Sequence, residues 1–236
     1  MKLFLLVGQS NMAGRGNLGD VPELTDPRCK MLRNGRFQPM REPICFDRPL
    51  KGKYHIGVGL ATSFAVRAAD YFGEEIGLIP AADGGTSLAD WAVDGLLYDH
   101  AVMQTKLALR SGGEMAGILW HQGESDSKSP ENASTYAARF EPIITRMQKD
   151  IGCDVPLILG ELGDFLAENQ DGGAKGYLHF TTVNEQLHAF AASHPKCAVA
   201  SAAGLTDNKD QLHFNAASLR IFGERYFDAY RSVIES

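Results

Sequence analysis

Short apolar runs alternate along the chain with longer segments in which apolar residues recur at helical spacing. A short apolar run bounded by turn residues is typical of a buried strand, whereas apolar residues at i, i+3, i+4 and i+7 indicate a helix. The pattern predicts strands over residues 2–7, 76–81, 115–120, 155–159 and 197–201, and helices over residues 58–72, 95–110, 131–150, 181–193 and 215–234. This alternation predicts an α/β fold, in which a central parallel sheet is covered by helices on both faces.

Residues 15–55 lack this periodicity. Prolines interrupt the stretch too often for a long helix or a central strand, at Pro22, Pro27, Pro39, Pro43 and Pro49. We predict an irregular functional loop or lid that lines one side of a site. Since the chain shows no internal repeat and no linker, a single domain over residues 1–236 is the simplest organisation.

Composition and charge exclude several classes of partner. The chain has 236 residues and a net charge of −6, which argues against nucleic acid because phosphate binding needs a basic surface. No apolar run approaches the roughly 20 residues that span a bilayer, so we expect no membrane partner. The apolar run after Met1 and Lys2 is too short for a signal peptide, which predicts a cytoplasmic protein. The oligomeric state stays open.

The cysteines and histidines show no metal-binding spacing. Cys29, Cys45, Cys153 and Cys197 form no CxxC pair, which disfavours a zinc cluster or a redox motif and predicts free thiols. A disulfide between Cys29 and Cys45 is conceivable only in a secreted protein. Because HxH and HExxH spacings are also absent, we predict no metal and no cofactor.

The first strand ends in a glycine that is followed two positions later by Ser10. Gly8 can adopt backbone angles that a side chain would forbid, so the chain can turn sharply and expose Ser10 at the edge of the sheet. Polar, glycine-bearing clusters also follow the predicted strands over residues 76–81, 115–120 and 197–201. The carboxyl ends of parallel strands lie along one edge, so the four clusters are expected to converge there. Ser10 is the candidate nucleophile.

A serine nucleophile needs a base, usually a histidine that a carboxylate orients. Asp210 and His213 lie three residues apart before the last helix, a spacing that lets a turn place both side chains on the same side. We therefore predict His213 as the base and Asp210 as its carboxylate. Glu124, in the third cluster, is an alternative acid or a supporting residue.

Acyl transfer also needs hydrogen-bond donors for the oxyanion. Backbone N–H groups at Gly84 or Gly85 and the side-chain amide of Gln122 are the candidates. A phosphate-binding loop is the competing interpretation of the glycines, but neither GxxxxGK[ST] nor GxGxxG after a strand is present. Other polar and aromatic residues of the clusters are expected to shape the pocket or support its loops, namely Asp83, Trp91, His121, Ser125 and Asp126.

Four blocks of the chain resemble the ordered blocks of the SGNH (GDSL-type) hydrolases. They are similar to the branch that holds carbohydrate esterase family six and the sialate O-acetylesterase-like proteins, and read GQSNMAG (8–14), GGTS (84–87), HQGESD (121–126) and DQLH (210–213). The resemblance implies a flavodoxin-like α/β/α fold and metal-independent deacetylation of sugar esters. It places the nucleophile at Ser10, the base at His213 and the acid at Asp210, and it adds the Ser10 N–H to the oxyanion donors. The superfamily has asparagine in the third block where this chain has Gln122.

The sequence thus predicts a serine esterase that removes O-acetyl groups from a small carbohydrate, either a mono- or an oligosaccharide of the acetylxylan or the sialic acid type. A non-catalytic carbohydrate-binding protein on the same fold is the main alternative. A flavodoxin-like nucleotide or flavin binder is a third hypothesis.

Overall fold

Strand β1, Lys2–Gly8, lies inside the sheet and is buried on both faces. Its side chains alternate, as the pleat of a strand requires. Leu3 and Leu5 belong to one hydrophobic core, whereas Phe4 and Leu6 belong to a second core on the opposite face. The apolar run is therefore continuous because both faces of the strand are covered.

The computed structural model describes residues 1–45, 56–168 and 176–236. Within these residues one seven-stranded sheet has the order β3-β2-β4-β1-β5-β6-β7. All neighbouring strands are parallel except the antiparallel pair of β2 and β3. Besides β1, the strands are β2 Cys29–Arg33, β3 Arg36–Pro39, β4 Ile76–Pro80, β5 Glu114–His121, β6 Leu157–Gly160 and β7 Cys197–Ala200.

Helices cover both faces of the sheet and complete a three-layer α/β/α arrangement, as predicted. Their bounds are α1 Ser10–Ala13, α2 Ala61–Phe72, α3 Leu96–Leu109, α4 Pro130–Ser134, α5 Tyr136–Ile151, α6 Phe180–Ser193 and α7 Ala216–Ile234. One core lies between the sheet and α3, α5 and α6. The other lies between the sheet and α2 and α7, where Phe4 packs edge-on against Phe64 and Tyr230.

The prediction that residues 15–55 form only irregular loop is wrong for part of the stretch. Strands β2 and β3 form a hairpin around Asn34 and Gly35, whose φ angles are 51° and 75°. An Asn-Gly pair with both φ angles positive is the turn that joins two strands through two residues. β2 also pairs with β4, so the hairpin extends the sheet. Residues 46–55 of the predicted loop lie outside the described residues, as do residues 169–175 between the strand predicted over residues 155–159 and the helix predicted over residues 181–193.

The other predicted elements are present with shifted bounds. The helix predicted over residues 131–150 is divided at Thr135 into α4 and α5, and the Ser129 side chain caps α4 by accepting from the Asn132 N–H at 3.3 Å. Asn215 is the N-cap of α7, and its side chain accepts from the Ser218 N–H at 2.8 Å. No helix among the described residues is long and apolar enough to cross a membrane.

The sheet order places β1 between β4 and β5, strands that come later in the chain and lie on opposite sides of it. In open parallel sheets, a ligand site forms beside the carboxyl ends of strands at such a switch in strand order. The turn after β1 carries Ser10, so the fold puts the candidate nucleophile at this position.

Candidate active site

Ser10 owes its position to the turn at the end of β1. Gly8 has a φ of 128°, and a Cβ there would lie 2.0 Å from the carbonyl oxygen of His121 on β5. Only glycine fits this close approach of two strands. Beyond the turn Ser10 is the first residue of α1, where a backbone N–H has no partner within the helix. The residue is 4% exposed.

His213 and Asp210 lie beside Ser10, as predicted. His213 Nε2 is 3.0 Å from Ser10 Oγ, and His213 Nδ1 is 2.6 Å from Asp210 Oδ2. The second carboxylate oxygen, Oδ1, accepts from the backbone N–H groups of His213 at 2.8 Å and Leu212 at 3.0 Å. Partial burial alone would raise the pKa of Asp210, but the hydrogen bonds from His213 and Leu212 outweigh it and lower that pKa. The carboxylate is therefore charged at neutral pH.

The loop that carries this pair is a small hairpin with a strained tip. The Asn208 N–H donates to the His213 carbonyl at 2.8 Å, and Asp207 forms a β-bridge with Phe214. Lys209 and Gln211, on either side of Asp210, have φ angles of 67° and 55°. A left-handed conformation costs a residue with a side chain roughly 1–2 kcal/mol, and such strain concentrates at functional sites.

The glycine turn after β4 lies next to the end of β1. The Asp83 N–H donates to the Gly8 carbonyl at 3.0 Å, and this bond joins the two turns directly. Gly84 and Gly85 follow Asp83 in the chain. Gly84 is buried and Gly85 is exposed with a φ of 74°. Neither of the two N–H groups has a hydrogen-bond partner within the described ranges. Both therefore stay candidate donors for an oxyanion.

The contacts of Gln122 argue against its predicted role as an oxyanion donor. Its side chain is completely buried, and Nε2 lies 2.7 Å from Asp126 Oδ2, 3.1 Å from the Thr86 carbonyl and 3.2 Å from Gln9 Oε1. An amide nitrogen carries two hydrogens, and protein acceptors surround both of them. The Gln122 Oε1 accepts from the Tyr136 hydroxyl at 2.8 Å. The Gln122 side chain therefore links three parts of the site by hydrogen bonds: the glycine turn at Thr86, the first block at Gln9 and the third block at Asp126.

Glu124 does not contact His213, so the geometry favours Asp210 as the carboxylate of the pair. Glu124 Oε1 instead lies 2.5 Å from Asn11 Nδ2 and 3.3 Å from His121 Nε2, in the interior below the site. Burial alone would raise the pKa of Glu124, but its interactions with His121 and the hydrogen bond from Asn11 lower it. Its predicted position as a supporting residue agrees with these contacts.

Two further residues of the first block organise the site, and sequence reasoning gave neither a role. Gln9 Oε1 accepts from the N–H groups of Gly123 and Ser125 at 3.4 and 3.3 Å. The Asn11 side chain binds the backbone beside His213. Their side-chain amides carry no reactive group. In the sequence, only their position on either side of Ser10 could have indicated a role in the site.

The other residues expected to support the pocket are largely interior. Trp91 Nε1 donates to Thr86 Oγ1 at 3.2 Å, which braces the glycine turn. Asp126 is completely buried and accepts from the Leu88 N–H at 2.9 Å and from Arg139 Nη2 at 2.8 Å. Across residues 1–45, 56–168 and 176–236, no group of three or more His, Cys, Asp and Glu side chains could hold a metal ion.

Comparison with known families shows a match over nearly the whole chain. The family model described as carbohydrate esterase, sialic acid-specific acetylesterase (SASA), matches residues 1–232. Among curated proteins, the probable carbohydrate esterase At4g34215 from Arabidopsis thaliana is 28% identical over 248 residues, which cover 98% of this chain and 90% of that protein.

Solved structures agree in fold. The crystal structure of the Arabidopsis thaliana At4g34215 protein superposes with a TM-score of 0.85 and 26% identity, covering 98% of both chains. The carbohydrate acetylesterase XAC1771 from Xanthomonas citri has a TM-score of 0.73 at 18% identity, covering 98% of this chain and 56% of that one. The second likeness concerns the fold alone.

Proposed function

Because the chain belongs to the SASA family of carbohydrate esterases, we propose that it is a serine esterase that removes O-acetyl groups from a carbohydrate. One observation supports the proposal above the others. Asp210, His213 and Ser10 form a continuous hydrogen-bonded series, with contacts of 2.6 Å and 3.0 Å. This is the arrangement by which a carboxylate orients a base and the base activates a serine hydroxyl.

In the proposed reaction His213 Nε2 accepts the proton of Ser10 as Oγ attacks the acetyl carbonyl carbon. Asp210 stabilises the imidazolium that forms and keeps its Nδ1–H directed at the carboxylate. Collapse of the tetrahedral intermediate breaks the bond to the sugar oxygen, which takes the proton from His213. Water then hydrolyses the acetyl-enzyme by the same route.

We assign the oxyanion to the backbone N–H of Ser10 and an N–H of the glycine turn, at Gly84 or Gly85. Within the part of the chain that the structure describes, neither the Ser10 N–H, which is the first donor of α1, nor the N–H groups of the turn have a hydrogen-bond partner. Losing one such donor typically lowers kcat roughly 10²–10³-fold. Gln122 has no part in this assignment, since its hydrogens point at protein acceptors.

The proposal is tested with 4-nitrophenyl acetate and the Ser10→Ala variant. Turnover by the wild-type protein should disappear in this variant, while its circular dichroism and melting temperature stay close to wild type. Ser193→Ala is the matched control, because that hydroxyl contacts only its neighbours at the end of α6, the Phe190 carbonyl at 2.9 Å and His194 Nδ1 at 3.0 Å. Equal activity of Ser10→Ala and wild type would refute the mechanism.

The sugar is identified by acetate release from a panel that pairs neutral and acidic substrates. O-acetylated xylo-oligosaccharides represent the first class and O-acetylated sialic acids the second. Binding of these sugars without acetate release, undiminished in Ser10→Ala, would favour the carbohydrate-binding alternative. A bound chromophore after purification would favour the flavin or nucleotide hypothesis.

A further inference from the structure

The Asn11 side chain spans the backbone on both sides of His213. Its Nδ2 donates to the Leu212 carbonyl at 3.2 Å, and its Oδ1 accepts from the Phe214 N–H at 3.1 Å. Asn11 is 1% exposed, so water does not compete for these bonds. The residue next to the nucleophile therefore fixes the peptide groups that flank the base.

Glu124 supports the direction in which the Asn11 amide faces. Its Oε1 accepts from Asn11 Nδ2 at 2.5 Å, which requires the nitrogen on that side and leaves Oδ1 for Phe214. The side chain is 1% exposed. Its other oxygen, Oε2, is buried and has no hydrogen-bond partner among the described residues. A buried polar atom without a partner costs stability, which calls for a reason why a charged side chain is kept there.

We infer that Glu124, acting through Asn11, is a positioning residue that holds His213 at hydrogen-bonding distance from Ser10. The inference rests on the proposed function for its kinetic consequence. The contact that Glu124 would maintain is the hydrogen bond between His213 Nε2 and Ser10 Oγ, which are 3.0 Å apart. Misplacement of a catalytic group by about 1 Å can cost roughly 10²-fold in rate.

A merely structural role for Glu124 makes different predictions. Its contact with His121 at 3.3 Å could stabilise the interior without any link to the base. In that case Glu124→Gln would lower the melting temperature and leave kcat per folded molecule unchanged. A positioning role instead lowers kcat, leaves KM nearly constant, and acts only while Asn11 is present.

The experiment is a double-mutant cycle on 4-nitrophenyl acetate with Glu124→Gln, Asn11→Ala and both together. Glutamine can face Asn11 with either its oxygen or its NH₂ group, so Glu124→Gln no longer imposes one direction on the Asn11 amide, and Glu124→Met removes the acceptor altogether. We expect Glu124→Gln to lower kcat about tenfold, Glu124→Met at least as much, and Asn11→Ala roughly 10–10²-fold, each with less than about a threefold change in KM. The double variant should be no slower than Asn11→Ala, because contacting residues that act as a unit are not additive. Multiplicative losses would overturn the inference.

Ser63→Ala is the matched control for loss of a buried long-range hydrogen bond. Its hydroxyl donates to the Arg220 carbonyl at 2.7 Å and is 3% exposed, between α2 and α7. We expect a lower melting temperature and an unchanged kcat for this variant. A kcat loss in Ser63→Ala that equals the loss in Glu124→Gln would show that general destabilisation explains both.

A measurement without turnover separates this inference from the proposed function. The proton between His213 Nδ1 and Asp210 should give a far-downfield NMR resonance in the wild-type protein, which shifts or broadens in Glu124→Gln and Asn11→Ala. An unperturbed resonance in both variants would overturn the positioning role. If the wild-type protein hydrolyses no ester but its resonance shifts or broadens in the two variants, the positioning role is supported and the esterase is refuted. If Asn11→Ala does not fold, Glu124→Gln alone decides by its kcat and this resonance.

Discussion

Replacing Asp210 with asparagine should abolish most activity because of the hydrogen-bond directions around this side chain. The Asp210 Oδ1 accepts from two backbone N–H groups, those of Leu212 and His213, so an asparagine must keep its oxygen on that side. Its NH₂ group then faces His213 Nδ1, where Asp210 Oδ2 now lies at 2.6 Å. A donor at this position forces the tautomer with hydrogen on Nε2. That tautomer cannot accept the proton of Ser10.

The magnitude follows from the tautomer and from the lost charge. Where a serine hydrolase has been forced into the wrong tautomer in this way, kcat falls roughly 10⁴-fold, which corresponds to about 5 kcal/mol of transition-state stabilisation. The Asp210 side chain is 44% exposed, so solvent screens part of the charge term. We therefore expect kcat to fall roughly 10³–10⁴-fold in Asp210→Asn.

Asp207→Asn is the matched control for this substitution. Asp207 is in the same loop, and its Oδ2 accepts from the Gln211 N–H at 2.6 Å. Asparagine can satisfy that donor with its own oxygen, and no contact with the imidazole is involved. Steady-state kinetics on 4-nitrophenyl acetate should show Asp207→Asn within a few-fold of wild type. An Asp210→Asn variant that keeps more than about a tenth of the wild-type kcat would refute the tautomer argument.

Three further predictions concern the fold and its titrating groups. Gly8→Ala should lower the free energy of unfolding by about 3 kcal/mol or more in urea titrations. The alanine would have an unfavourable positive φ, and its Cβ would also clash with the His121 carbonyl. Gly112→Ala is the control, because its φ is also positive, at 82°, but no atom lies within 4 Å of the added Cβ. It should lower the free energy of unfolding by only about 1–2 kcal/mol. Equal losses in the two variants would contradict a clash at Gly8. Burial alone would raise the pKa of Glu161, but hydrogen bonds from an imidazole, a hydroxyl and a backbone N–H lower it. The stability that charged Glu161 contributes is therefore present above its unfolded-state pKa and is lost as the pH falls through its folded-state pKa. In urea titrations at decreasing pH, a Glu161→Gln variant should lose less stability than the wild-type protein. Burial raises the pKa of the Cys29 thiol to about 12, so a disulfide-exchange reagent at pH 8 should label it slowly until urea unfolds the chain.

The sheet and its active edge could be predicted because both depend on short-range patterns. Strands buried on both faces give continuous apolar runs, and all five predicted strands are present in the structure. Polar clusters directly after parallel strands must lie at one edge, and hydrogen bonds now join them, such as that of Ser10 with His213. The family assignment from the four sequence blocks is confirmed by the match over residues 1–232.

The hairpin of β2 and β3 was missed although its local signal is strong. The Asn34-Gly35 pair supplies two positive φ angles for a two-residue turn, and apolar residues precede and follow it. The surrounding prolines obscured this signal, but Pro39 lies at the end of β3, on the outer strand of the sheet. An edge strand can contain proline because no neighbour needs its missing N–H. The rule that excludes proline from central strands therefore did not apply.

Side-chain direction separates the site residues that could be predicted from those that could not. Asp210 and His213 are three residues apart, so one turn decides their contact, and the predicted pair has the expected geometry. Gln122 meets Thr86 and Gln9, which are 36 and 113 residues away in the chain, and those acceptors determine where its amide points. The same non-local dependence applies to Glu124, whose partner Asn11 is 113 residues distant. The block pattern therefore brings the right residues to the site, whereas the roles of its amides and its second carboxylate depend on contacts that only the folded chain creates.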